Sequence, residues 1–434
     1  MPIQVLLVGD LHLGRRPVRL PPPEASEAGG KDWPAALSSR TAWERTVTLA
    51  IERGVDAVLL AGDVVENNQD RFQAFGPLER GVRRMREAGI EVLGVAGNHD
   101  DIALPRLARQ IEGFRLLGEG GRFELAHVET RSGPLRVLGW SFPNRRHFEN
   151  PLGTLAPDLQ ARVRSEPASE YGPVLGLLHT QLGGQGTGYA PTHATELATV
   201  GTDAWFLGHV HGPTLTAGPL SAGERPLGYL GSVAANDAGE SGPHGPWLAT
   251  LDGGRIRNLE HLVLAPLRFE PLELALSELP DPFENDEELE NVVLAHLLES
   301  LEDLSQAVAE EQVDQPEALA VRLRITGAHP RHRDIADLLA RLVGGGFSYH
   351  SNGILCYIEK LLDDGRSVLD IESLSRGTDP VAILARKLLA MEADEAETRR
   401  YAEAPGIAVR AGRQLLEELL DARARARTGA GGPA

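Results

Sequence analysis

Short apolar runs recur along the first 270 residues, and several break off at a glycine followed by a polar residue. "IQVLLVGD", "DAVLLAGD" and "IEVLGVAGNHD" lack strict alternation of apolar and polar positions, so they read as short strands buried on both faces. Between them, "RTAWERTVTLAIERG" and "PLERGVRRMREAG" carry apolar positions at helical spacing. Strands alternating with helices of this length predict βαβ units. Later come "LRVLGWSF", "GPVLGLLHT", "AWFLGHVH", "PLGYLGSV" and "PWLATLDGG", with fewer helices among them. The pattern predicts an α/β fold over residues 1–270, with two sheets stacked as an αββα sandwich. "RLPPPEASEAGGKDWP", within 15–40, reads as a Pro/Gly-rich surface loop inserted after the first strand.

The pattern then changes. Residues 271–317 predict an acidic connector leading into a solvated helix. Residues 318–375 run strand, helix, strand, strand, enough for a small α/β domain. Residues 376–428 predict two amphipathic helices. Val381, Ile383, Leu384, Leu388 and Leu389 share one apolar stripe, and Val409, Leu415, Leu416, Leu419 and Leu420 share another. Such stripes pack either on the protein's own core or on a partner.

Composition narrows the classes. A chain of 434 residues with 42% apolar content supports two or three domains. The N-terminal run is too short for a secretory signal, and no stretch reaches the roughly 18 apolar residues of a membrane span. Cys356 is the one cysteine, so there is no intramolecular disulfide and no thiolate metal cluster; it reads as a small buried side chain. A reducing cytoplasm fits. The net charge of −19 is concentrated, because residues 271–320 hold 15 Asp or Glu and no Lys or Arg. The remainder is nearly balanced, which leaves DNA open as a partner while providing no large basic tail.

The polar residues that follow the apolar runs carry the chemistry. "GDLHLG" offers Asp10 and His12, "AGDVVE" offers Asp63, and "GNHD" offers Asn98, His99 and Asp100. "LLHTQ" offers His179, and "LGHVH" offers His209 and His211. Each set belongs at the carboxyl end of a strand, where α/β sheets place ligand sites. Any one pair can be a turn former. Five in succession, built from Asp, His and Asn without Cys, describe a nitrogen and oxygen site for Mn, Fe, Zn or Mg. More donors are present than one ion needs, which suits two ions sharing a carboxylate.

In order, GDLHLG, GD, GNHD, H and GHVH resemble the calcineurin-like metallophosphoesterase superfamily over residues 1–265. "GLLHTQL", "YLGSVAANDAGESGPHGPWLATL" and "LRFEPLEL" make the chain similar, within it, to DNA-repair exonucleases of the SbcD type, including the YhaO-like branch. The resemblance implies that Asp10, His12 and His211 hold one metal and Asn98, His179 and His209 the other, bridged by Asp63. It implies Mn²⁺ in both positions, a metal-bound hydroxide as nucleophile, and His99, steered by Asp100, acting on the phosphate or the leaving oxygen. It further implies exonuclease or endonuclease action on DNA, a cap domain at 318–375, and C-terminal helices that grip an SbcC-like coiled-coil ATPase. A homodimer would suit two DNA arms. Some members carry a histidine just after the second motif, where this chain has Glu66 and Asn67. Arg145, Arg146 and His147 form a candidate DNA-phosphate contact, or simply reflect an arginine-biased composition. Two other classes remain: a phosphodiesterase or phosphatase for a small nucleotide-type substrate, and a non-catalytic scaffold.

Overall fold

The computed structural model describes residues 1–22, 31–184, 186–235, 237–368, 371–394, 409, 411–416 and 418–420. Twelve strands form the sandwich. They are β1 (Ile3–Val8), β2 (Ala57–Ala61), β3 (Glu91–Val95), β4 (Phe114–Leu116), β5 (Glu124–Thr130), β6 (Gly133–Trp140), β7 (Val174–His179), β8 (Ala204–Gly208), β9 (Gly218–Pro219), β10 (Leu227–Tyr229), β11 (Trp247–Asp252) and β12 (Arg255–His261). One sheet has the order β4-β3-β2-β1-β11-β12-β9, and the other β10-β8-β7-β6-β5. β1 to β4 pair in parallel, as do β6, β7, β8 and β10.

The missing alternation in the sequence has its cause here. Along β1, Val5 and Leu7 enter the core between the sheets, together with Leu59, Leu93, Val137, Leu177 and Phe206. Leu6 and Val8 face the other way and are equally buried, among Trp43, Val47, Leu78, Val82 and Met85. Those last residues come from α2 (Ser39–Arg53) and α3 (Arg71–Glu87), which follow the short α1 (Trp33–Ala36); α4 (Ala103–Ala108) adds Leu104 and Leu107. On the far side, Leu138, Trp140, Leu178, Trp205 and Leu207 are covered by Val163 of α5 (Pro157–Ser165) and Leu197 of α7 (Ala194–Val200), the short α6 (Ala168–Tyr171) lying between those helices in the chain. The four layers are the expected αββα sandwich. α2 stops at Gly54, whose φ of 61° is the left-handed cap that glycine adopts without penalty.

Beyond the sandwich, β13 (Leu267–Ala275), β14 (Ala318–Thr326), β16 (Ser348–Ser351) and β17 (Ile354–Asp363) form a sheet in the order β13-β14-β17-β16. The two-residue strands β15 (Ala328–His329) and β18 (Arg366–Ser367) pair in parallel. With α9 (His332–Gly344), the order from β14 onward is β14, β15, α9, β16, β17 and β18. α10 (Ile371–Leu374) and α11 (Pro380–Ala393) follow. By compactness, residues 1–272, 296–323 and 342–361 make one unit and residues 273–295, 324–341 and 362–434 a second.

The acidic segment needs a correction. α8 (Asp286–Glu311) is not solvated all round, because Leu289, Val293, Leu297, Leu301 and Val308 are buried along one face. Its carboxylates occupy the rest of the surface and disguise that stripe in composition. Cys356 is buried, and burial pushes its thiol up to about 12, as befits an inert side chain. Among the described residues, no helix is long and apolar enough to cross a membrane.

Candidate metal centre

The parallel strands of both sheets end at one edge, and the polar motifs meet there. Asp10 and His12 follow β1, Asp63 follows β2, and Asn98 and His99 follow β3. His179 closes β7, and His209 and His211 follow β8. His12, Asp63 and His209 have φ of 49°, 45° and 106°, a left-handed backbone that side chains other than glycine seldom adopt. Strain of this kind persists where surrounding bonds over-determine it, and it collects at functional sites. Here Leu11 and His12 both donate their N–H to the Asp63 carbonyl, at 3.1 and 2.9 Å. The His99 N–H donates to Asp63 Oδ1 at 2.9 Å, and the His209 N–H to Asp10 Oδ1 at 2.9 Å. Gly97 is required by this closeness: a Cβ there would lie 2.1 Å from Asp63 Oδ1.

Among the described residues, three groups of donor atoms lie within 4.8 Å of one another: Asp10, His12 and His211; His12, Asp63 and His99; and Asp10, Asp63 and His179. Asn98 joins through its Oδ1, 3.0 Å from His179 Nε2, and the His209 ring stands 5.3 Å from that of His179. All seven expected ligands are therefore brought together, with His99 beside them. The hydrogen pattern points to cations. His179 Nδ1–H donates to the Ala61 carbonyl at 3.1 Å, leaving the lone pair on Nε2 facing Asn98 Oδ1 and, at 3.3 Å, Asp63 Oδ2. His12 and His211 direct their Nε2 atoms at each other across 3.0 Å, while Nδ1 of each lies 2.8 Å from a carboxylate, Glu66 and Glu240 respectively. Lone pairs turned on lone pairs and oxygens, around the buried carboxylates of Asp10 and Asp63, repel unless positive charge lies between them. The donors fit a pair of divalent cations.

Without such cations, protons take over part of that role. Burial opposes the charged form of His179, but the Asp63 and Asp10 carboxylates outweigh it and raise the pKa to about 9. Burial likewise disfavours ionised Asp63, yet His179 and the other imidazoles hold its carboxyl well below the usual range. His209 moves the other way, lowered to about 4 by burial and by the charge on His179. Burial, with the charge of Asp63, raises Asp100 to about 7, against the N–H donors described below.

Residues 3–213 match the calcineurin-like phosphoesterase family. Members of that family hold two metal ions, and the match supports a metallophosphoesterase domain here. Among curated proteins the chain is 27% identical over 213 residues to the uncharacterized metallophosphoesterase YhaO of Bacillus subtilis, covering 48% of this chain and 49% of that one. The chain thus spans about half the length of this relative. Among solved structures, TT1561 of Thermus thermophilus is 16% identical with a TM-score of 0.34, over 60% of this chain and 99% of the other. A dimetal phosphatase from Danio rerio is 12% identical with a TM-score of 0.35, over 59% and 96%.

The site differs from expectation at Asp100. Its carboxylate accepts from the backbone N–H groups of Gly97, Val64 and Val65, at 2.8, 2.7 and 3.2 Å, and so braces two loops. The His99 ring is turned by another group, since its Nδ1–H donates to the Glu66 carbonyl at 2.7 Å. Arg145 and Arg146 are exposed, and His147 bridges through its backbone to Tyr189, whose ring stands 4.7 Å from that of His209. Gln181, 3.0 Å from His209 Nε2, and Tyr189 were not signalled as site residues; Gln181 sits in "LLHTQ", two positions after a ligand. Glu240 was invisible in spacing, because folding brings it across 29 residues to His211.

Proposed function

We propose that this protein is a metal-dependent DNA nuclease that hydrolyses phosphodiester bonds, exo- or endonucleolytically, in DNA repair with an SbcC-like coiled-coil ATPase. The observation that supports this reading best is the convergence of Asp10, His12, Asp63, Asn98, His179, His209 and His211 at one sheet edge, with imidazole lone pairs facing inward. When bound, two cations, Mn²⁺ in this proposal, polarise the phosphate and bring water's pKa into reach of neutral pH. Asp63 is common to two donor groups, which supports its serving both positions. His99 has its Nδ1–H committed to the Glu66 carbonyl, so its Nε2 is the atom that holds a proton for the departing 3′-oxygen. Arg145 and Arg146 offer charge to flanking phosphates.

The deciding experiment incubates the full chain with linear duplex DNA and with bis-p-nitrophenyl phosphate. Mn²⁺ and a chelator are compared, with and without the ATPase. We expect chelator-sensitive turnover of both substrates and ATP-stimulated DNA degradation. Turnover of the small ester with no action on DNA under any condition assigns the site to a small nucleotide-type substrate instead.

A further inference from the structure

The two halves of the site are backed differently. Behind Asp10, His12 and His211 stand carboxylates. Glu66 Oε2 lies 2.8 Å from His12 Nδ1 as an ion pair outside hydrogen-bond alignment, and Glu240 Oε1 is hydrogen-bonded to His211 Nδ1 at 2.8 Å. Glu240 is itself anchored, by Arg15 at 3.6 Å and through its carbonyl, which lies 3.0 Å from His244 Nε2. Both carboxylates are shielded, with side chains 25% and 12% exposed, so their charge is weakly screened. Behind His179 and His209 the hydrogen-bond partners are neutral, the Ala61 carbonyl and the Gln181 amide, at 3.1 and 3.0 Å, and the nearest carboxylate oxygen to His179 Nδ1, Asp10 Oδ1, is farther off at 3.8 Å.

A carboxylate on the far nitrogen of a ligating imidazole fixes its tautomer and orientation and makes the near nitrogen a better donor. A carbonyl or amide fixes orientation with less charge transfer. Resting on the dinuclear reading above, we infer that Glu66 and Glu240 are positioning residues that make the Asp10–His12–His211 position the tighter of the two metal positions. The site is electrically asymmetric, and the asymmetry lies in carboxylates outside the three donor groups. Glu66 also acts through its main chain, since its carbonyl orients His99, so one residue links the tight metal position to the proton-carrying ring.

Calorimetric titration of the metal-free full chain with Mn²⁺ tests this without reference to activity. The wild-type protein is expected to bind two equivalents in two resolved steps. Glu66→Gln and Glu240→Gln are each expected to weaken the tighter step by roughly 10–100-fold, the usual effect of losing such a partner, and to leave the weaker step unchanged. In a His12→Ala background, Glu66→Gln adds no further loss. The reciprocal variant, Gln181→Glu, gives His209 a carboxylate and tightens the weaker step. Circular dichroism of the metal-free variants checks the fold; if Glu66→Gln misfolds, Glu240→Gln and Gln181→Glu decide. Two wild-type steps that stay within twofold in the Gln variants, or that weaken alike, overturn the inference while leaving the dinuclear site standing. A wild-type protein that binds one equivalent overturns both.

Discussion

Asp63 sits where the demands on one side chain are heaviest. Its backbone is left-handed, its carbonyl accepts two N–H groups from the loop after β1, and its Oδ1 accepts the His99 N–H. The carboxylate lies in donor groups with His12 and His99 and with Asp10 and His179, so its charge would serve both cations of the proposed pair. Asp63→Asn keeps the shape and removes the charge. We expect both Mn²⁺ equivalents to weaken together and hydrolysis to be nearly abolished, with the fold retained; elemental analysis finding two full equivalents would contradict this. His99 makes a different prediction. His99→Ala should leave metal content near wild type while DNA cleavage falls by about 10²–10⁴-fold, the range for a lost general acid or base. Bis-p-nitrophenyl phosphate, whose leaving group needs little protonation, should suffer less. Equal losses on both substrates would point to phosphate positioning, and loss of one metal equivalent would make His99 a ligand.

Among elements, the β11–β12 hairpin contains a titration that is separable from the metal site. His261 of β12 pairs with Trp247 of β11 and stacks on its indole, with centroids 4.6 Å apart and planes 16° from parallel. Burial lowers the His261 pKa to about 4, against 6.5 for a free imidazole. The unfolded chain then binds more protons between those values, so stability is fully present above pH 6.5 and declines as pH falls toward 4. Allowing for partial exposure, the loss is on the order of 2 kcal/mol. His261→Phe keeps the stack and removes the titration. Urea unfolding of the metal-free protein from pH 7.5 to 4.5 should therefore show a shallower acid decline in the variant, and parallel declines would refute the assignment. The hairpin and its neighbours also show what a sequence reveals. β1, β2 and β3 were readable because burial on both faces demands unbroken apolar runs, and a glycine with a polar residue must follow where the chain turns at a ligand. α8 was misread because 26 residues rich in Asp and Glu look solvated, although Leu289, Val293, Leu297 and Leu301 already recur at every fourth position. The resemblance pairs Asp100 with His99, whereas the backbone N–H groups of Gly97, Val64 and Val65 take its carboxylate, a contact that no side-chain motif announces.

For the molecule as a whole, the open matter is what the chain beyond Gly377 is for. α11 buries Val381, Ala385 and Leu388 in a small cluster with Ile371 and Leu416, and Leu384, Leu389, Leu419 and Leu420 pack against it. Much of each apolar stripe is therefore used within the C-terminal segment, and the reading as self-core gains from it. Some apolar surface remains, since Ile383 is 49% and Leu415 48% exposed. Residues 395–408, 410, 417 and 421–428 of the C-terminal segment lie outside the described residues. A segment that packs on itself and still shows apolar side chains suits a docking module, because its removal need not open another core. Ending the chain after Gly377 should leave two Mn²⁺ equivalents and wild-type turnover of bis-p-nitrophenyl phosphate, while binding to the coiled-coil ATPase and ATP-stimulated DNA degradation are lost. Ile383→Asp with Leu415→Asp in the full chain should reproduce the loss of partner binding with the helical signal intact. If the truncated chain unfolds, or binds the ATPase as tightly as the full chain, the C-terminal helices serve this protein's own core and the docking role fails.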